Sequence, residues 1–157
     1  MRTLRTVVAA VLAAVFAAAW AGPPANGEFG NAEEAKALAA KAIQHIEKAG
    51  PERAYRDFTE KAPGFVDRDL YVIVYDVTGH VLAHGQNPKM VGKDNLEIKD
   101  ADGKSYIRER IATAQAAKGG FWQDYKWTDP ISKRLMDKST YTVRHRDTLV
   151  SVGIYKR

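Results

Sequence analysis

The sequence predicts an α+β fold, an antiparallel sheet with its helices gathered to one side. Two observations carry this. Apolar residues recur at helical spacing from Ala35 to Phe58 and again from Tyr106 to Ala114, whereas residues 69–84 and 121–155 are β-branched and aromatic runs broken by short turns. Strands joined by short turns pair antiparallel, because parallel neighbours need long crossovers.

The chain has 157 residues, 45% of them hydrophobic and 27% charged, as expected of a single compact domain. Met1 to Ala21 reads as a secretory signal: Arg2 and Arg5 lead an apolar run from Val7 to Trp20, and Ala19-Trp20-Ala21 forms a small-x-small cleavage site. As a helix that 14-residue run spans about 21 Å, short of a hydrocarbon core of about 30 Å. A cleaved signal is therefore favoured over a retained anchor. Cleavage after Ala21 leaves 136 residues with no integral membrane span, an exported, periplasmic product. Residues 22–30, with Pro23, Pro24 and further glycines, form a flexible leader, and residues 31–157 form the domain.

Asn31 and Glu34 make an N-cap and capping-box pair, and Ala35, Leu38, Ala39, Ala42, Ile46 and Ala49 follow on one stripe. Gly50 stops this long, Ala-rich helix, and Pro51 opens a second, shorter one with Ala54, Tyr55 and Phe58 on one side. Leu70 to Tyr75 is a continuous apolar run, which suits a central strand buried on both faces. Asp76-Val77-Thr78-Gly79 turns it into a hairpin with Val81 to His84. Gly85 to Asp100 is long for a connection, so it is either a binding loop or poorly ordered. Asp100 to Gly103 opens a helix with Tyr106, Ile107, Arg110, Ile111 and Ala114 along one side, and Gly119 ends it. Three strands follow, Phe121 to Trp127, Leu135 to His145 and Leu149 to Tyr155.

The formal charge of +5 falls to +3 when Arg2 and Arg5 leave with the signal, and the remaining basic residues are interspersed with acids, so nucleic acid is not a partner. The absence of cysteine excludes disulfides, thiol catalysis and thiolate metal sites. His80 and His84 have a metal-like spacing, but in a strand they stand roughly 13 Å apart, too far to share an ion. His45 and His145 read as solvated. No serine sits in a nucleophile turn, no glycine run matches a nucleotide loop, and the Asp100/Asp102 pair is explained by turn roles. No enzyme, metal site or cofactor is expected.

The segment from Gly120 to Trp127, followed by Lys138 to Tyr141, combines aromatic rings with a few cations. That is the composition of a pocket for a small anion, and equally of a packed core. Alternation sets Phe121, Gln123, Tyr125 and Trp127 on one face and Trp122, Asp124 and Lys126 on the other, and gives Lys138 and Tyr141 opposite parity.

Asp69 to Asp76, Gly79, Leu82 to Gly85, Asn87-Pro88, Val91-Gly92-Lys93, Lys99 to Lys104, Gly120, Trp122, Tyr125, Trp127, Asp129-Pro130, Lys138, Thr140-Tyr141 and Val152 to Tyr155 occur in one order over nearly all of the mature chain. In this the sequence resembles the single Cache domains (the sCache type 2 group), extracytoplasmic sensor modules of bacterial chemoreceptors and histidine kinases. The resemblance implies a PAS-like sheet behind a long N-terminal helix, and a pocket, roofed by the long loop and the helix after it, for a small molecule, often a short carboxylate. It also implies site residues: Lys138 as the cation facing a carboxylate, Tyr125 and Tyr141 as hydroxyl donors, Trp122 as a wall and His84 as a polar group where strand meets loop. Receptors of this kind continue into a membrane helix and a signalling domain, whereas this chain ends at Arg157, so it resembles a standalone exported form. It is then expected to present a ligand to a membrane receptor or histidine kinase, or to carry a metabolite, and a homodimer is compatible with its long helix. The alternative is a Cache-like interaction protein without a small-molecule ligand.

Overall fold

A computed structural model describes residues 28–157. The expected signal at residues 1–21 and most of the expected leader lie outside them. Helix α1 spans Ala32–Ala49 and α2 spans Pro51–Thr59. The capping box forms as read: Asn31 Oδ1 accepts from the Glu34 N–H, and Glu34 Oε2 accepts from the Asn31 N–H, each at 3.0 Å. Gly50, at φ 83°, takes the left-handed backbone that ends α1. The stripe of α1 is buried from Ala35 to Ile46, while Ala49 is exposed at the end of the helix.

Strands β1 (Val66–Asp67), β2 (Leu70–Asp76) and β3 (Val81–His84) are followed by helix α3 (Tyr106–Ala116) and strands β4 (Phe121–Thr128), β5 (Leu135–His145) and β6 (Thr148–Tyr155). They form one antiparallel sheet in the order β1-β2-β6-β5-β4, with β3 also paired to β2. The continuous apolar run of β2 lies at its centre and is buried on both faces, as its composition requires. One face carries Leu70, Val72, Val74, Val150 and Val152 against α1 and α2, with Ala35, Ala39 and Ala42 allowing a close approach. The other carries Tyr71, Ile73, Tyr75, Tyr125 and Leu149 against α3, through Tyr106, Ile107, Ile111 and Ala114.

The helices are therefore not gathered to one side. A strand apolar on both faces needs a cover on both, and α3 supplies the second. Residues 100–103 form a turn rather than a helix start: Asp100 Oδ1 accepts the N–H groups of Asp102 and Lys104, and α3 begins at Tyr106. The long connection after β3 is folded rather than loose. It holds a 3₁₀ turn at Pro88–Met90 and runs back beside β3, where Val81 exchanges backbone hydrogen bonds with Gly92 and Lys93, and buries Asn95. His45 is not a solvated side chain, since its Nε2 lies 2.8 Å from Asp57 and its ring packs on Phe58 and Phe65. His145 is half-buried, with Nε2 enclosed and unpartnered.

The two ends of the domain are clamped together. Asp69 and Asp129 are fully buried, and Arg157 donates to Asp129 at 2.9 and 3.1 Å and to Asp69 at 3.3 Å. Asp69 also accepts the Gly30 N–H at 2.6 Å, and the Arg157 guanidinium lies 3.6 Å from the centre of the Phe29 ring. The last residue thus neutralises carboxylates that hold the residues leading into α1.

Arg157→Ala strands two buried carboxylates and is expected to lower stability by about 3 kcal/mol at neutral pH, measured by urea unfolding. Burial opposes the charge on Asp129, but bonds from Arg157 and Ser132 outweigh it and hold the carboxyl well below 3.8. A depressed folded value stabilises above the unfolded one and is lost as pH falls. The gap between variant and parent should therefore shrink as pH drops below about 3.8.

Candidate functional site

Strand parity assembles the site. On β5, Lys138, Thr140 and Thr142 face α3, while Ser139 and Tyr141 face α1; β4 pairs with β5 so that Tyr125 stands opposite Lys138 and Trp122 opposite Tyr141. Across β5 from β4, Lys138 pairs with Tyr155 and Thr140 with Gly153. No bulge interrupts either register. The α3 face consequently gathers Lys138, Thr140, Tyr125 and Tyr155 with Tyr71 and Tyr75 of β2. His84 joins them from the end of β3 and Tyr106 from α3, so five of the seven tyrosines converge here.

Two cations are buried among them. Lys138 is 1% exposed and donates to the Tyr71 hydroxyl at 2.7 Å, with its Nζ 4.5 Å from the Tyr71 ring centre and 4.9 Å from that of Tyr155. Its alkyl stem crosses β6 at Gly153, where any Cβ would strike Lys138 Cε and Thr140 Oγ1. Arg110 is fully buried, and its guanidinium lies 5.2 to 5.7 Å from the ring centres of Tyr125, Tyr106 and Tyr75. Its Nε donates to Gln123 Oε1 at 2.9 Å, and Gln123 is held in turn by the Tyr106 carbonyl. Both terminal nitrogens, Nη1 and Nη2, are buried without a hydrogen-bond partner.

Among the described residues neither cation forms an ion pair with a carboxylate. A buried charge without a counter-ion costs several kcal/mol in general, and aromatic faces offset only part of that. Burial acts against the charge on both, yet the surrounding phenols keep them protonated: Tyr125 and Tyr71 act on Lys138, Tyr125 and Tyr75 on Arg110. Chemically this chamber is a closely packed aromatic enclosure that holds two positive charges, and a guanidinium is a group that can engage a carboxylate with two donors.

His84 is buried and stacked on Tyr71, with ring centres 5.4 Å apart. Its Nδ1 accepts the N–H groups of Gln86 and Asn87, which places the ring proton of the neutral form on Nε2. Burial, followed by the Lys138 charge, pushes its pKa down to about 4, so it is neutral at ordinary pH. Lys138, Tyr125 and His84 are therefore brought together as the sequence suggested. Trp122 and Tyr141 are not. They pack on each other, 5.3 Å between ring centres, on the α1 face. Their parity already separated them from Lys138, and no bulge returns them.

Arg110 is the residue that sequence reasoning passed over. It sat in the apolar stripe with Tyr106, Ile107, Ile111 and Ala114, and a cation at a stripe position was the available signal. A cleft of about 320 Å³ opens beside the chamber and shares Tyr125 with it. Two of its lysines are committed to its own aspartates, Lys126 to Asp102 at 2.9 Å and Lys156 to Asp124 at 2.6 Å, so the unspent charge lies inside the chamber.

A family model described as Single Cache domain 2 matches residues 26–156. The sensor histidine kinase MctS of Rhizobium johnstonii (strain DSM 114642 / LMG 32736 / 3841) is 36% identical over 90 residues. That match covers 56% of this chain and 19% of the kinase, so the chain spans less than a fifth of that relative. Among solved structures, a methyl-accepting chemotaxis protein from Vibrio parahaemolyticus RIMD 2210633 superposes with a TM-score of 0.68 at 22% identity, covering 78% of this chain and 86% of that one. A Cache chemosensory domain described for its carboxylic acid recognition gives 0.67 at 21% identity, covering 80% and 92%. The periplasmic sensor domain of a chemotaxis protein gives 0.61 at 24%, covering 80% and 90%.

Gly153→Ala is expected to cost about 1 to 3 kcal/mol in urea unfolding by forcing Lys138 aside. In a Lys138→Ala background the same change should cost markedly less, since the stem it strikes is gone.

Proposed function

The chain belongs to the Single Cache domain 2 family, and from that premise we propose that it is an exported sensor module binding a short carboxylate between Lys138 and Arg110. The observation that carries the ligand class is the pair of buried cations with no carboxylate partner among the described residues, one of them with both terminal nitrogens lacking a hydrogen bond there. A bound carboxylate would supply the missing charge and the missing acceptors together, so binding energy and relief of desolvation act in the same direction. Carboxylic acid recognition by a structurally similar Cache chemosensory domain supports the same ligand class.

In this reading Lys138 and Arg110 hold the carboxylate, Tyr125 and Tyr71 orient it, and the neutral His84 bounds the site as a donor. Trp122 and Tyr141 belong to the packing under α1. The kinship with a sensor histidine kinase supports a membrane receptor or kinase as the partner to which a liganded domain is presented. Met1 to Ala21 would direct export, and among the described residues no helix is long and apolar enough to cross a membrane.

A thermal-unfolding screen against short mono- and dicarboxylates, amino acids, amines and purines tests the reading. A ligand that binds only the folded state at a hundredfold excess over its dissociation constant should add about 2.7 kcal/mol. The expected result is stabilisation by carboxylates that is lost in Lys138→Ala and in Arg110→Ala and kept in Tyr141→Phe. Stabilisation by amines or purines alone, or by carboxylates equally in all variants, would contradict it.

A further inference from the structure

The end of the sheet remote from the Arg157 clamp carries a second group of cations. There the two-residue loop Arg146-Asp147 joins β5 to β6, closed by the pair His145 and Thr148. A hairpin loop of that length needs a left-handed backbone at its first position, which glycine adopts at least cost, yet Arg146 holds it here at φ 55°. Arg144 has the parity of Lys138, six residues away or about 20 Å along β5, and so stands on the α3 side of the sheet. Lys118 lies just beyond the end of α3. These three cations, with Ala117, Gly119 and Val143, line a cleft of about 270 Å³ that no residue of the Lys138 chamber borders.

Every ionisable residue in the wall of this cleft is a cation. Arg144 Nε donates to the Arg146 carbonyl at 3.1 Å, which sets the guanidinium beside the turn. Among the described residues the side chains of Lys118, Arg144 and Arg146 make no other hydrogen bond and no ion pair. Asp147, the acid nearest in sequence, pairs with none of them. The cleft beside β4 differs in this respect, because its lysines are matched with aspartates in the same wall. A concave surface lined by one sign of charge concentrates the opposite ion.

We infer that this cleft is an anion site separate from the Lys138 chamber, and that it takes the phosphate group of a small soluble molecule. Two guanidiniums and an ammonium offer more donors than one carboxylate accepts, whereas a phosphate brings a higher charge and acceptors in three directions. Lys118, Arg144 and Arg146 are exposed, so the cleft opens to solvent and the rest of such a molecule would lie outside it, leaving the phosphate as the part recognised. The backbone of Arg146 agrees with this, since a long cationic side chain at a position easier for glycine has a reason to be there if it holds a ligand. The inference does not depend on the carboxylate reading of the chamber.

The test titrates the protein with inorganic phosphate at constant ionic strength while its backbone amide resonances are followed. The expected result is a saturable change confined to residues 117–120 and 143–148, with a dissociation constant raised about tenfold or more in Arg144→Gln, as for the loss of one charged hydrogen-bond donor. Arg146→Gly guards against misfolding, because glycine suits the loop: its denaturant midpoint should hold while phosphate affinity falls. Absence of saturation, equal affinity in the parent and both variants, or changes centred on Lys138 and Arg110 overturns the inference. Acetate giving the same changes at equal affinity overturns the preference for phosphate. Co-sedimentation with phosphatidylglycerol vesicles that both variants abolish, without saturation by inorganic phosphate, assigns the group to a lipid surface and overturns the soluble ligand.

Discussion

The feature on which the rest depends is the enclosure of two cations, Lys138 and Arg110, between the sheet and α3 with no acid beside them among the described residues. Folding alone gives little reason for it. Replacing buried charges by apolar groups of similar size is often neutral or stabilising, so charges kept without partners point to work done in a second state. Aromatic faces make the arrangement tolerable, with tyrosine rings around each cation at 4.5 to 5.7 Å. Rings attract a cation without discharging it, which leaves the chamber polarised toward an anion.

Sheet geometry makes this possible in a small domain. Because side chains alternate, one strand serves two purposes: β5 sends Lys138 and Thr140 into the chamber and Tyr141 into the packing under α1. The central strand β2 does the same, with Val72 and Val74 on the helical side and Tyr71 and Tyr75 in the chamber. Gly153 removes the one side chain that would block Lys138 from crossing β6 to Tyr71. Beyond Tyr155, which lies over Lys138, the chain reaches Arg157 and its clamp on Asp69 and Asp129, so the chamber and the joined ends of the domain share one short strand.

Much of this was legible in the residues. The capping box, the glycine stop, the β2–β3 hairpin and the parity of β4 follow from local chemistry, and local chemistry prevailed at each. The two-residue strand β1 was missed because so short a segment has no periodicity to read. The placement of α3 was misread because a helical stripe says that a face is buried but not against which side of a sheet. The double-sided apolar run of β2 was the evidence that both sides needed covering. Lys138 could be singled out by its company of aromatics, whereas His84 entered only through the family resemblance. Arg110 could not be given a role by periodicity, which assigns a stripe residue to the core whatever its charge. Trp122 and Tyr141 were drawn in by composition and by the family resemblance, although their alternation already argued for the other face.

The most direct test of the account is the equilibrium stability of the ligand-free domain, at neutral pH and without organic anions, when both cations are replaced in Lys138→Met/Arg110→Met. If the charges are kept for an anion, removing them should raise the denaturant midpoint, because the folded state no longer encloses two unpaired charges. A clear fall in the midpoint would show that the cations hold the empty fold together, and would contradict the claim that this chamber is built for a negatively charged ligand.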